Sequence, residues 1–142
     1  MAEYIGLSGT AAPNTPIVLT TSIACPKGYV IHRDDSGILT LRGITNGCQK
    51  FARYLVLYFG NIAIPDGGTL DTTRVGLTIS GEPVQSTISM APTPTAAEEF
   101  AAVSSGRFIT VPAGCCYNVA LENLSSQDIL YSNFNVIVTR VA

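Results

Sequence analysis

Hydrophobic positions in this chain recur mostly at every second residue, in short runs broken by turn residues. Cys115, Tyr117, Val119 and Leu121 share one parity, and Cys116, Asn118, Ala120 and Glu122 the other. Successive side chains of a strand point to opposite faces, so this spacing predicts a strand. Thr73–Ser80 sets Val75, Leu77 and Ile79 against Arg74, Gly76 and Thr78 in the same way. Two runs depart from that pattern. In Arg53–Phe59, Tyr54, Val56 and Tyr58 oppose Arg53, Leu55, Leu57 and Phe59; in Phe134–Val141, Phe134, Val136 and Val138 oppose Ile137 and Val141. A sandwich strand with one face in water alternates cleanly. Strands that are apolar on both parities predict a sheet whose second face is covered by another chain.

The remaining segments read as strands and turns. Pro16–Ala24 is rich in β-branched residues and is broken by Cys25-Pro26-Lys27-Gly28. Tyr29–Arg33 and Ile38–Arg42 flank Asp34-Asp35-Ser36-Gly37, a hairpin signature. Val84–Met90, Arg107–Val111, Cys115–Leu124 and Ile129–Ser132 follow as strands, separated by Pro-, Gly- and Ser-rich turns. Ala91-Pro92-Thr93-Pro94-Thr95 reads as a loop, and Ala96–Val103 is the sole helix candidate. A chain of about ten short strands predicts an all-β sandwich or barrel. Residues 1–16 read as an N-terminal attachment arm, because Thr10–Pro16 is rich in Pro, Gly and small polar residues. Residues 17–142 form the domain, with 17–50 supplying N-terminal strands and a hairpin that buries little.

Composition sharpens this picture. The chain has 142 residues, 46% hydrophobic but only 13% charged, which predicts that part of its surface meets protein instead of water. A net charge of −2 gives no basic field for nucleic acid or an anionic membrane. The apolar run Tyr54–Phe59 is far too short to span a bilayer. Met1–Gly6 lacks the basic and apolar segments of a secretory signal, so the expected product is soluble and made in a cytoplasm. Cys25, Cys48, Cys115 and Cys116 are then reduced packing residues.

No chemistry-bearing constellation emerges, and neither an enzyme, a cofactor nor a metal is expected. His32-Arg33-Asp34 spells the start of a kinase catalytic loop, but no phosphate loop or metal-binding Asp-Phe-Gly accompanies it. His32 with Cys48 or Cys116 as a base–nucleophile pair has no supporting spacing. The cysteines lack the paired spacing of a zinc site. Glu98-Glu99 are sequence neighbours that do not face one cleft. Asp34, Asp35, Asp66 and Asp71 are explained by turn chemistry, and the Asn123-Leu124-Ser125 sequon has no secretory context.

The order of elements from Phe51 to Ala142 resembles the C1q/TNF-like jelly roll, in the version found at the C-terminus of bacterial spore-surface collagen-like proteins. The matching stretches are Arg53–Phe59, Val75–Thr87, Ile109–Gly114, Val119–Ser125 and Asn135–Val141. No Gly-X-Y segment precedes them, and Cys25–Cys48 lies outside the pattern. Cys-Pro-Lys-Gly-Tyr, Leu-Arg-Gly-Ile-Thr-Asn and Pro-Ala-Gly-Cys-Cys-Tyr also resemble segments of small phage and prophage proteins. The resemblance implies a jelly-roll sandwich that assembles as a homotrimer, three sheets meeting at a threefold axis. It also implies a structural virion protein, a head decoration protein or head-fibre component, bound to the major capsid protein or another virion protein. The alternative is a receptor- or glycan-binding knob of a phage fibre or of a bacterial surface or spore-coat structure. The absence of Trp favours the structural role, since sugars stack on aromatic faces. On this resemblance the trimer contact is expected at Tyr54, Val56, Tyr58, Cys116, Asn118, Ala120, Val136 and Val138, with Cys115, Tyr117, Val119 and Leu121 in the subunit core.

Overall fold

The computed structural model describes residues 2–23 and 28–142. Their strands are β1 (Ala2–Ala11), β2 (Thr21–Ile23), β3 (Val30–His32), β4 (Ile38–Arg42), β5 (Phe51–Ala63) and β6 (Thr73–Ile79). β7 (Glu82–Pro83), β8 (Ser89–Ala91), β9 (Ala101–Pro112), β10 (Cys116–Asn123) and β11 (Ile129–Arg140) complete them. One sheet runs β2-β1-β11-β5-β9; the other runs β3-β4-β10-β6-β7, with β8 also paired to β6. Every pairing is antiparallel. The expected all-β jelly-roll sandwich is therefore the fold.

Its core lies between the sheets. Tyr4, Tyr54, Val56, Tyr58, Phe134, Val136 and Val138 come from the five-stranded sheet, and Leu39, Leu41, Val75, Leu77, Val119 and Leu121 from the other. Two tyrosines of β5 span the layer. Tyr54 donates to the Arg42 carbonyl at 2.6 Å, and Tyr58 donates to the Thr87 carbonyl at 2.6 Å. A phenol carries its apolar ring through the core and still satisfies its hydroxyl on the far side.

The N-terminal arm expected at residues 1–16 is instead strand β1. It sits inside the five-stranded sheet, paired with β11 from Ala2↔Val138 to Ala11↔Ile129, with Ala2 and Tyr4 in the core. Gly6, Ser8, Gly9 and Thr10 dilute its apolar pattern, so only the long-range pairing identifies it. The hairpin forms as expected, but it is not peripheral: β4 pairs with β10, and Leu39 and Leu41 are buried. Between these elements, Pro16–Ile23 is a strand only over Thr21–Ile23. Before that, single bridges Pro16↔Glu122 and Leu19↔Ser36 carry the chain along the six-stranded sheet, with Ile17 and Leu19 buried. The turn expected at Cys25–Gly28 and the packing expected of Cys25 fall, except for Gly28, outside the described residues.

Three local expectations also change. The Ala96–Val103 segment is not a helix: Ala101 and Val103 pair with Ile62 and Gly60, and Glu98 takes a positive φ of 62° in the preceding turn. A helix of one or two turns has little intrinsic stability, so sheet pairing wins. Val84–Met90 is broken by a 3-10 turn at Gln85–Thr87. The two expected C-terminal strands are one, β11, with a bulge between Ser132 and Asn135 where Asn133 adopts φ 56°.

Removing Ala2–Ala11 should abolish the fold, because it strips β11 of a partner from Ile129 to Val138 and opens the core at Tyr4. Circular dichroism of the truncated chain checks this; a native β spectrum would mean that the strand is dispensable. Burial pushes the Tyr58 phenol well above its usual 10.0 and raises Tyr54 too, the latter against an opposing effect of Arg140. The folded state thus holds these protons more tightly than the unfolded chain does. Their contribution is full below pH 10.0 and is lost as pH rises beyond it. In an alkaline titration, tyrosinate absorbance from these two should appear together with loss of the β spectrum, and Tyr58→Phe should remove part of it.

Candidate functional site

His32 illustrates how the chemistry-bearing residues are used. Its side chain is buried, with Nδ1 2.6 Å from Ser22 Oγ, Nε2 2.9 Å from the Ser36 carbonyl, and its ring centroid 4.8 Å from that of Tyr4. A carbonyl only accepts, so Nε2 carries a proton. Ser22 Oγ also lies 3.0 Å from Asp34 Oδ1. The cluster ties β2 of one sheet to β3 of the other, and neither Cys48 nor Cys116 is among its partners. Those two cysteines and Cys115 are free and exposed. The core position expected for Cys115 is therefore wrong, because Cys115 closes the turn before β10, its carbonyl accepting from Gly43 N–H at 2.8 Å. Glu99 accepts from the Thr95 hydroxyl at 2.9 Å within its own loop. Among the described residues no group of three His, Cys, Asp or Glu is placed to hold a metal.

The feature that stands out is the outward face of the five-stranded sheet. Because Tyr54, Val56 and Tyr58 face the core, the opposite parity of β5 faces outward: Phe51, Arg53, Leu55, Leu57 and Phe59. The ladder aligns this row with its neighbours. Leu55 sits opposite Phe108 of β9 and Thr139 of β11; Leu57 sits opposite Gly106 and Ile137; Phe59 sits opposite Ser104 and Asn135. Ile137 and Asn135 in turn oppose Glu3 and Ile5 of β1. Leu57, Phe59 and Phe108 remain 38%, 44% and 45% exposed. A Cβ on Gly106 would lie 2.4 Å from Leu57 Cδ2, so glycine there lets Leu57 lie flat across β9. The result is a contiguous apolar patch spanning four strands, of the kind that marks an interaction surface.

Polar groups edge and punctuate the patch. The Arg53 guanidinium stacks 4.4 Å above the Phe108 ring, burying its stem along the apolar row. Asn135 Nδ2 donates to Glu3 Oε1 at 2.7 Å, while Asn135 Oδ1 is buried without a partner.

The residues expected at a subunit contact do not share a face. Tyr54, Val56, Tyr58, Val136 and Val138 are in the subunit's own core and cannot touch a neighbour. Cys116 and Asn118 are exposed, and Ala120 is nearly covered, on β10 of the six-stranded sheet. The parity of β10 itself is as expected, with Val119 and Leu121 inward and Tyr117 packed against the core. What the sequence reading missed is which parity of β5 and β11 is buried. The signal was the tyrosine hydroxyls: rings with a polar tip suit a layer whose far side offers backbone carbonyls.

No protein-family model matches the chain, and no curated protein matches it. Solved structures do. The globular domain of zebrafish complement 1qA protein superposes with a TM-score of 0.59 at 13% identity, covering 96% of this chain and 94% of that one. The CBM22-1 xylan-binding domain of Paenibacillus barcinonensis Xyn10C aligns at 14% identity over 97% and 96% of the two chains, with a TM-score of 0.37. The first shows that the fold is of the C1q type.

Val56→Ala should destabilise the chain by about 1–3 kcal/mol, because it opens a cavity in the core. The loss should be independent of protein concentration in urea unfolding. A negligible or concentration-dependent loss would return Val56 to a subunit contact.

Proposed function

We propose that this chain is a structural assembly protein that works as a homotrimer and decorates a bacteriophage particle, as a head decoration protein or head-fibre component bound to the capsid. The observation that carries this reading is the apolar outward face of the five-stranded sheet, centred on Leu55, Leu57, Phe59 and Phe108. Covering such side chains contributes up to about 1.5–3 kcal/mol each when burial is complete. A single chain leaves that free energy unused; a closed ring of copies recovers it. Closure matters, because a heterologous contact that does not close grows into fibres. The C1q-type fold supports a ring of three. Arg53 and the Glu3–Asn135 pair provide the polar groups that fix register at the margin of an apolar contact.

The virion assignment rests on the resemblance of Cys-Pro-Lys-Gly-Tyr, Leu-Arg-Gly-Ile-Thr-Asn and Pro-Ala-Gly-Cys-Cys-Tyr to phage-encoded segments. Because residues 2–11 are built into the sheet, the sandwich surface is the proposed route of capsid attachment.

Native mass spectrometry at micromolar concentration should give a trimer. Leu57→Glu should give a folded monomer, since it places three like charges in one apolar contact. A parent chain that is monomeric, or dimeric, under these conditions overturns the trimer. Particles of the encoding phage should contain the chain in multiples of three; its absence from purified particles overturns the virion role and leaves assembly standing.

A further inference from the structure

The outward face of the six-stranded sheet dips at its centre. Ala120 of β10 lies opposite Ile38 of β4 on one side and Thr78 of β6 on the other. Ala120 and Thr78 are short, so the sheet surface is low there, and both are nearly covered. Ile38, Pro16, Asn118 and Ser80 rise around them to enclose a hollow of about 330 Å³. Pro16 takes the place that β4 vacates, bridging to Glu122.

Glu122 is the sole ionisable group among the lining residues. The buried Thr78 hydroxyl donates to its Oε2 at 2.8 Å, which fixes the carboxylate's direction. No Lys or Arg pairs with Glu122 among the described residues. Asn118 is oriented as well: its Oδ1 accepts from the Thr40 hydroxyl at 2.9 Å, which leaves its amide N–H groups to offer. A half-buried, positioned carboxylate between two apolar walls is complementary to an alkyl stem ending in a cation. Thr78 takes one lone pair of Oε2 and leaves the other, with both of Oε1, as separate acceptor directions, whereas a guanidinium fork needs both oxygens presented together in its own plane. A compact ammonium needs a single acceptor direction.

We propose that this hollow binds a lysine side chain of a partner protein, with Glu122 receiving the ammonium, Ile38 and Pro16 flanking the stem, and Asn118 donating to the partner's backbone carbonyl. The site is on the sheet opposite the assembly face, so it stands whether or not that face forms a trimer.

The probe is acetyl-Gly-Gly-Lys-Gly-Gly-amide, titrated into 15N-labelled protein and followed by amide chemical shifts. Thr78, Asn118 and Ala120 should move along a common binding curve. Acetylating the lysine of the peptide, which keeps the stem and removes the charge, should weaken binding about tenfold or more. Glu122→Gln keeps an acceptor for Thr78 and should leave the rest of the spectrum unchanged while weakening binding to a similar degree. Ala120→Leu, which fills the floor, is the second variant and should also abolish the shifts. Equal affinity for the acetylated peptide, undiminished binding by Glu122→Gln, tighter binding of the arginine peptide, or no localised shifts would each overturn the proposal.

Discussion

The two phenols that cross the core, Tyr54 to the Arg42 carbonyl and Tyr58 to the Thr87 carbonyl, set the polarity of β5 and through it that of the molecule. Each is a hydroxyl whose desolvation is repaid only if the far side of the layer, β4 for Tyr54 and the 3-10 turn at Gln85–Thr87 for Tyr58, presents a carbonyl at the right depth. A register slip by one residue would turn both rings outward and bring Arg53, Leu55 and Leu57 into the layer. No carboxylate is buried among the described residues to pair with Arg53, so the alternative carries a buried charge without a counter-ion. β5 is paired along its length with β9 and β11, so fixing its parity fixes the faces of the whole five-stranded sheet.

The consequence is a molecule with two unlike exteriors. The five-stranded sheet shows leucine and phenylalanine outward; the six-stranded sheet mixes exposed Ile31 and Ile38 with Thr40, Asn118 and Glu122 around a shallow hollow. On the five-stranded face the charged groups Arg53 and Glu3 are laid over Phe108 and held by Asn135, respectively.

Much of the fold could be read from local chemistry. Asp34-Asp35-Ser36-Gly37 specifies its hairpin because turn geometry is written in adjacent residues, and β6 and β10 declare their inward side by clean alternation. The misreadings share a cause: they concern choices made by distant partners. β1 looks like a linker until β11, more than a hundred residues away, supplies its ladder. Ala101–Val103 looks helical until Gly60–Ile62 pairs with it. The proposed assembly face was half legible. Two apolar parities in β5 announced a second apolar surface, but bulk alone does not say which parity is inside. The phenol hydroxyls do, once their acceptors across the core are known.

The five phenylalanines allow the central claim, that the outer face of the five-stranded sheet is covered by other copies, to be read directly. Phe134 is buried in the isolated chain, while Phe51, Phe59, Phe100 and Phe108 are all substantially exposed. Phe100 lies off this face, beside Pro92 and Pro94, and serves as the internal control. In 4-fluorophenylalanine-labelled protein, the fluorine shift on moving from H2O to D2O measures solvent contact for each ring. Assembly through this face predicts that Phe59 and Phe108 join Phe134 in showing almost no solvent shift, while Phe100 keeps its own. Full solvent shifts at both Phe59 and Phe108 would contradict it.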